Sequence, residues 1–112
     1  ERIEGEIKNL ISFDKRVSLK LDGAINRPPM ERTESVIKLY KKAKSIGESF
    51  GYELGETQVG GASDGNFVGA LGIPVLDGLG IKGNNAHRLD EYILLSDITP
   101  RVALLAQLIL EL

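Results

Sequence analysis

The side chains able to do chemistry in this chain gather in one glycine-dense run, residues 60–93, GGASDGNFVGALGIPVLDGLGIKGNNAHRLDEYI. The run holds Asp64, Asp77, Asp90, Glu91 and His87, the only histidine of the protein. Carboxylate oxygens and an imidazole nitrogen are the ligands that hard or borderline metal ions prefer. Glycines placed among them let the backbone come close to a bound group. The run therefore predicts a site rather than a core. It predicts half of one, because a lone imidazole cannot build a catalytic zinc centre.

Residue type and spacing leave each of these positions two readings. His87 is either a metal ligand or a loop histidine facing solvent. Asp90 and Glu91 follow it by three and four residues, and either carboxylate can orient the imidazole. Gly60-Gly61-Ala62-Ser63-Asp64 precedes a helical stretch, so its free N–H groups either cradle an anion or make a tight turn. The charge of Asp64 and the lack of a following lysine speak against phosphate. Arg27 stands between Asn26 and Pro28. A stiff, extended segment there would present the guanidinium for two-point capture of a carboxylate, or leave it as an ordinary loop arginine.

The elements that must position these groups read as a mixed α/β order. Ile3, Ile7, Leu10 and Ile11 make one apolar stripe on a short helix. Residues 16–22 alternate, with Val17, Leu19 and Leu21 on one side, which predicts a half-buried strand. Pro28 and Pro29 break regular structure. A longer helix is predicted from Thr33, with Val36, Ile37, Tyr40, Ala43, Ile46 and Phe50 on one side and Gly51 as its stop. Residues 52–59 and 73–76 read as strands flanking a short helix over 65–71, capped by Ser63 or Asp64. Together they outline a βαβ unit with a parallel pair. A brief extended segment at 91–95 and a final helix capped by Ser96, with Pro100 in its first turn, complete the order. Glycine loops after strand ends are where such folds place ligands.

Composition narrows the classes. At 112 residues, 42% hydrophobic and 27% charged, the chain has the length and balance of one soluble domain with a modest core. A net charge of −2 offers no electrostatic case for nucleic acid. The lysines Lys38, Lys41, Lys42 and Lys44 spread along a helix as a solvated face. No apolar run approaches the roughly 20 residues of a membrane span. Cysteine is absent, which excludes disulfides and thiol catalysis. We expect neither a nucleic-acid nor a membrane partner, no leader peptide, and a cytoplasmic location. The chain starts at Glu1, without Met, directly in a helical pattern. That fits a piece of a longer protein as well as it fits a trimmed terminus.

Taken in order, Arg27-Pro28-Pro29, Gly60-Gly61-Ala62-Ser63-Asp64-Gly65, Gly72-Ile73-Pro74-Val75-Leu76-Asp77-Gly78-Leu79-Gly80, Gly83, His87 and Glu91-Tyr92-Ile93 resemble a known pattern. With the terminal apolar helix, they are similar to the C-terminal part of the di-zinc aminoacylase/carboxypeptidase family. Its members include glutamate carboxypeptidase, acetylornithine deacetylase, succinyl-diaminopimelate desuccinylase and peptidase T-like enzymes. The Gly-Leu-Gly stretch is most similar to the glutamate carboxypeptidase branch.

The resemblance implies a mixed sheet with flanking helices, the returning part of a di-zinc exopeptidase-like catalytic domain, over residues 24–112. Residues 1–23 would be the last helix and strand of the lid or dimerisation domain. It implies that His87 ligates one of two zinc ions, that Arg27 grips the substrate carboxylate, and that the Gly83 backbone faces substrate. Asp64, and beside it Glu91, would shape the site. Two zinc ions per full-length subunit would lower the pKa of a bridging water and polarise the scissile carbonyl. The substrate would be a peptide or an N-acyl amino acid, cut at an amide next to a free carboxylate.

The chain also departs from the pattern. Arg88 follows the histidine where a small residue is common, and Asn84-Asn85 is a more polar approach to it. The N-terminal half, with the family's other ligands and its general-base glutamate, is missing. No catalytic residue is therefore expected in this fragment, and by itself it should be inactive. A non-catalytic binding or scaffold module that kept the fold is the alternative. The apolar face predicted for 16–22 lacks a partner strand and is a template for a second copy, so a homo-oligomer is expected.

Overall fold

Two helices and the segment between them make the core of the structure, a computed structural model that describes residues 2–112. Thr33 leaves helical geometry (φ −73°, ψ 167°), and its hydroxyl accepts the Val36 N–H at 3.3 Å. That N-cap starts helix α2, Glu34–Ser49. The helix ends as predicted at Gly51, whose φ of +75° few other residues tolerate. The N–H groups of Gly51 and Tyr52 close back onto the carbonyls of Glu48 and Gly47, the paired bonds of a Schellman motif.

The chain then doubles back along α2. The Tyr40 hydroxyl donates to the Leu54 carbonyl at 3.0 Å, and Arg32 forks onto the Glu56 carboxylate at 2.9 and 2.7 Å. Helix α4, Ile98–Glu111, covers the result. Ala43 and Ile46 of α2 meet Leu104 and Leu108 of α4, with Tyr52 and Leu54 closing the side. Leu104 is fully buried, and burial of that kind contributes about 1.5–3 kcal/mol. Lys42 donates to the Glu111 carbonyl and ties the two helices together at their exposed side.

Between these elements lie helix α3, Gly65–Ala70, and a two-stranded antiparallel sheet of β1, Gly83–Asn84, and β2, Tyr92–Ile93. Gly83 pairs with Ile93 and Asn84 with Tyr92. The Leu94 N–H extends the ladder to the Lys82 carbonyl at 2.8 Å. The extended segment predicted at 91–95 is β2. The described residues thus make an α/β piece of helices with one small hairpin.

Several expectations are overturned. Residues 16–22, 52–59 and 73–76 are not strands, and no parallel pair or βαβ unit forms among the described residues. Alternation decides which face of an extended segment is apolar, but a strand exists only where a neighbour accepts its backbone bonds. Tyr52 and Leu54 keep the alternation, pointing inward from an unpaired segment. Neither Ser96 nor Asp64 caps a helix through its side chain. A 3₁₀ turn, Leu95–Asp97, leads into α4 and draws Asp97 inward. Ser63 turns its hydroxyl to the Gly65 N–H at 3.1 Å, while Asp64 bonds elsewhere.

The N-terminal part stays outside the core. Helix α1, Arg2–Lys8, forms where its apolar stripe predicts, but it buries no residue. Val17, Leu19 and Leu21 are each more than half exposed. The radius of gyration is 19.7 Å, against about 13 Å for a compact domain of this length. Helix α4 likewise leaves Val102, Ile109 and Leu110 in solvent. No described helix is long and apolar enough to cross a membrane.

Candidate functional site

The residues singled out by sequence fall into two groups. In the first, Arg27 Nη2 donates to Asp64 Oδ1 at 2.9 Å, across 37 residues of chain. The guanidinium lies over the Phe67 ring, 5.2 Å from its centroid. The Arg27 side chain is 39% exposed and the Asp64 carboxylate 91%. Among the described residues this is the one hydrogen bond the guanidinium makes, out of five N–H donors. An exposed, single-point carboxylate is easily exchanged for another, and the remaining donors suit two-point capture.

The second group is the hairpin. Gly83 in β1 carries no side chain for a plain reason: a Cβ there would lie 2.2 Å from the Tyr92 carbonyl oxygen. The tip reverses through Asn85 and His87, both in the left-handed region at φ +63° and +67°. For histidine that geometry costs on the order of 1 kcal/mol. The Asn84 side chain accepts the Asn85 N–H, and the Asn85 amide donates to Asp90. Arg88 also holds the Asp90 carboxylate, with Nε at 2.8 Å. The tip is therefore braced around Asp90, and the exposed His87 imidazole takes no part. Neither Asp90 nor Glu91 bonds to it. Glu91 is placed by its own N–H, which donates to the Arg88 carbonyl at 3.2 Å.

No hydrogen bond or ion pair joins the two groups among the described residues. Nor do three His, Asp or Glu side chains come together there to hold a metal ion. The donor chemistry offers one free imidazole, which fits one corner of a metal centre and not a whole one.

A third cluster was missed by sequence reasoning. Asp97, 6% exposed, accepts the Tyr52 hydroxyl at 2.8 Å and the Lys82 N–H at 2.7 Å. Arg101 Nε lies 3.5 Å from the same carboxylate, and its guanidinium stands 5.1 Å over the Tyr52 ring. Burial raises the Asp97 pKa, but the Lys82 N–H, the Tyr52 hydroxyl and the nearby cations outweigh it and hold the carboxyl below its ordinary range. Burial, then the Asp97 bond, pushes the Tyr52 phenol up. The cluster matters because Lys82 adjoins Gly83: Asp97 ties the root of the hairpin to the core. The sequence signal was the Asp97/Arg101 spacing of four at a helix start, which puts both on one face.

Comparison with known proteins then bears on the chain as a whole. The family description "Peptidase family M20/M25/M40" matches residues 13–111. No curated protein and no solved structure matches.

Proposed function

The chain belongs to peptidase family M20/M25/M40, a family of metallopeptidase-type hydrolases, and from that premise we propose that it serves hydrolysis of an amide bond beside a free carboxylate. The substrate is a peptide or an N-acyl amino acid, as for the glutamate carboxypeptidase branch that the Gly78-Leu79-Gly80 stretch resembles. The observation that carries this reading is the Arg27–Asp64 pair. A guanidinium seated on an aromatic ring, engaging one exposed carboxylate and keeping its other donors, is equipped to take a substrate carboxylate instead.

His87 supplies one ligand for zinc, and the remaining ligands and the general base lie in a part of the protein upstream of this sequence. Gly83 leaves backbone free to face substrate, while Asp64 and Glu91 shape the rim. Held in this way, the substrate is oriented from its carboxylate end, and orientation is worth several kcal/mol of barrier. The chain alone turns over nothing.

The experiment uses the whole protein. Arg27→Ala should cost about 2–4 kcal/mol in transition-state binding for a carboxylate substrate, and far less for its amidated analogue. Equal losses on both substrates would remove Arg27 from the role. Zinc counting separates hydrolase from scaffold: two ions per whole subunit are expected, and well under one on this chain alone after dialysis. Self-association belongs to the same reading, since Val17, Leu19 and Leu21 present an uncovered apolar edge. Light scattering should find a dimer, and a monomer at high concentration would end that part of the proposal.

A further inference from the structure

Helix α3 has six residues, yet three separate contacts tie it to the segment that carries Arg27, and Asp64 just before it adds a fourth. Asn66 is the one buried residue of the helix, 8% exposed. Its Nδ2 donates to the Pro28 carbonyl at 2.8 Å, and its Oδ1 accepts the Ser63 N–H at 2.9 Å. One planar amide therefore locks two irregular loops together. Neither Pro28 nor Pro29 has an N–H, so a carbonyl is the handle this segment offers. Met30 packs against the helix where it is narrowest: a Cβ at Gly69 would stand 3.3 Å from Met30 Cγ. Asp64 and Phe67 then meet the Arg27 guanidinium itself, at its edge and its face.

We propose that α3 is a positioning platform for Arg27, in which Asn66 straps the Arg27–Pro28 backbone in place and Phe67 seats the guanidinium, leaving its free edge for a substrate carboxylate. This rests on the reading of Arg27 as the carboxylate grip. Both are positioning residues, acting through the arginine. The half-exposed Phe67 sets the plane of the guanidinium, and Asn66 sets the point from which the side chain springs. A planar fork binds a carboxylate with two parallel bonds only when both are held.

The test compares, in the whole protein, KM for a carboxylate substrate with KM for its amidated analogue. Asn66→Asp keeps the acceptor for the Ser63 N–H and loses the donor to Pro28. It should raise KM for the carboxylate substrate about tenfold, with kcat and the amidated substrate little changed. Phe67→Leu should do the same to a smaller degree, about threefold. In an Arg27→Ala background neither substitution should alter the ratio further.

If Arg27→Ala itself leaves the ratio untouched, the carboxylate-grip reading fails, and this proposal with it. If Arg27→Ala collapses the ratio while Asn66→Asp and Phe67→Leu, both folded, leave it unchanged, the platform alone is overturned. Should Asn66→Asp not fold, Phe67→Leu decides, because that side chain is already 44% exposed and tolerates replacement.

Discussion

The two groups of candidate residues are held by opposite means. Around Arg27 the side chain itself is held, by the Asp64 carboxylate and the Phe67 ring, while Asn66 bonds the adjoining Pro28 backbone from a helix that lies apart from the α2–α4 core. Around His87 the backbone is fixed and the imidazole is not: the hairpin is rooted in the core through Lys82 and Asp97, and its tip is braced by Asp90. A grip for a ligand that comes and goes needs its geometry set before the ligand arrives. On the proposed reading His87 is a metal ligand, which gets its geometry from the metal and its other donors, so the chain need only deliver it to the right place. Damage to the core should therefore reach the hairpin and spare the strap.

The largest effect is expected from Leu104→Ala, which truncates the largest fully buried side chain of the core and should cost about 2–5 kcal/mol. Hydrogen exchange should accelerate at Leu94, whose N–H bonds Lys82, more than at Ser63, whose N–H bonds Asn66. Equal acceleration at both would break the comparison.

A sharper probe is Tyr52→Phe, which takes one hydrogen bond from the Asp97 carboxylate and should cost about 1–3 kcal/mol. The pH dependence has a definite sign. The Asp97 pKa is depressed in the fold, so its contribution is complete above about pH 4 and is lost as pH falls through the folded value. The Tyr52 pKa is raised, so its contribution is complete below about pH 10 and is lost as pH rises through the folded value. The difference in Tm between wild type and Tyr52→Phe should be flat between those limits and shrink below pH 4. A difference that grows in acid would contradict the assigned network.

The smallest effect concerns the hairpin tip. His87→Gly relieves a left-handed histidine and should raise stability by up to about 1 kcal/mol, while one zinc per whole subunit is lost. Destabilisation instead, with zinc retained, would mean that the imidazole braces the tip and binds no metal.

What could be read from sequence follows a physical line. The long helix, its Thr33 start, its Gly51 stop and the stripe of Ala43 and Ile46 depend on neighbours within a few residues, and all are present. The strands at 16–22, 52–59 and 73–76 depend on partners elsewhere in the chain or beyond it, and none forms. The site divides in the same way. Arg27, Asp64 and Gly83 were singled out because they stand in stretches rich in proline or glycine, and His87 because it is the one histidine of the sequence.

Asn66 and Phe67 gave no signal, because an amide and a ring are common and carry no mark of what they touch, and Asp97 offered only its spacing of four from Arg101. By itself the sequence determined the helices, the Thr33 and Gly51 ends of α2 and the list of groups able to bind a carboxylate or a metal, since these rest on local backbone geometry and side-chain chemistry. Only the tertiary structure decided that Arg27 meets Asp64 across 37 residues, that Asn66 straps the segment carrying it, and that Asp97 roots the hairpin of His87. Contacts of that range are chosen by packing and by the need to satisfy buried polar groups, which no short window of sequence contains.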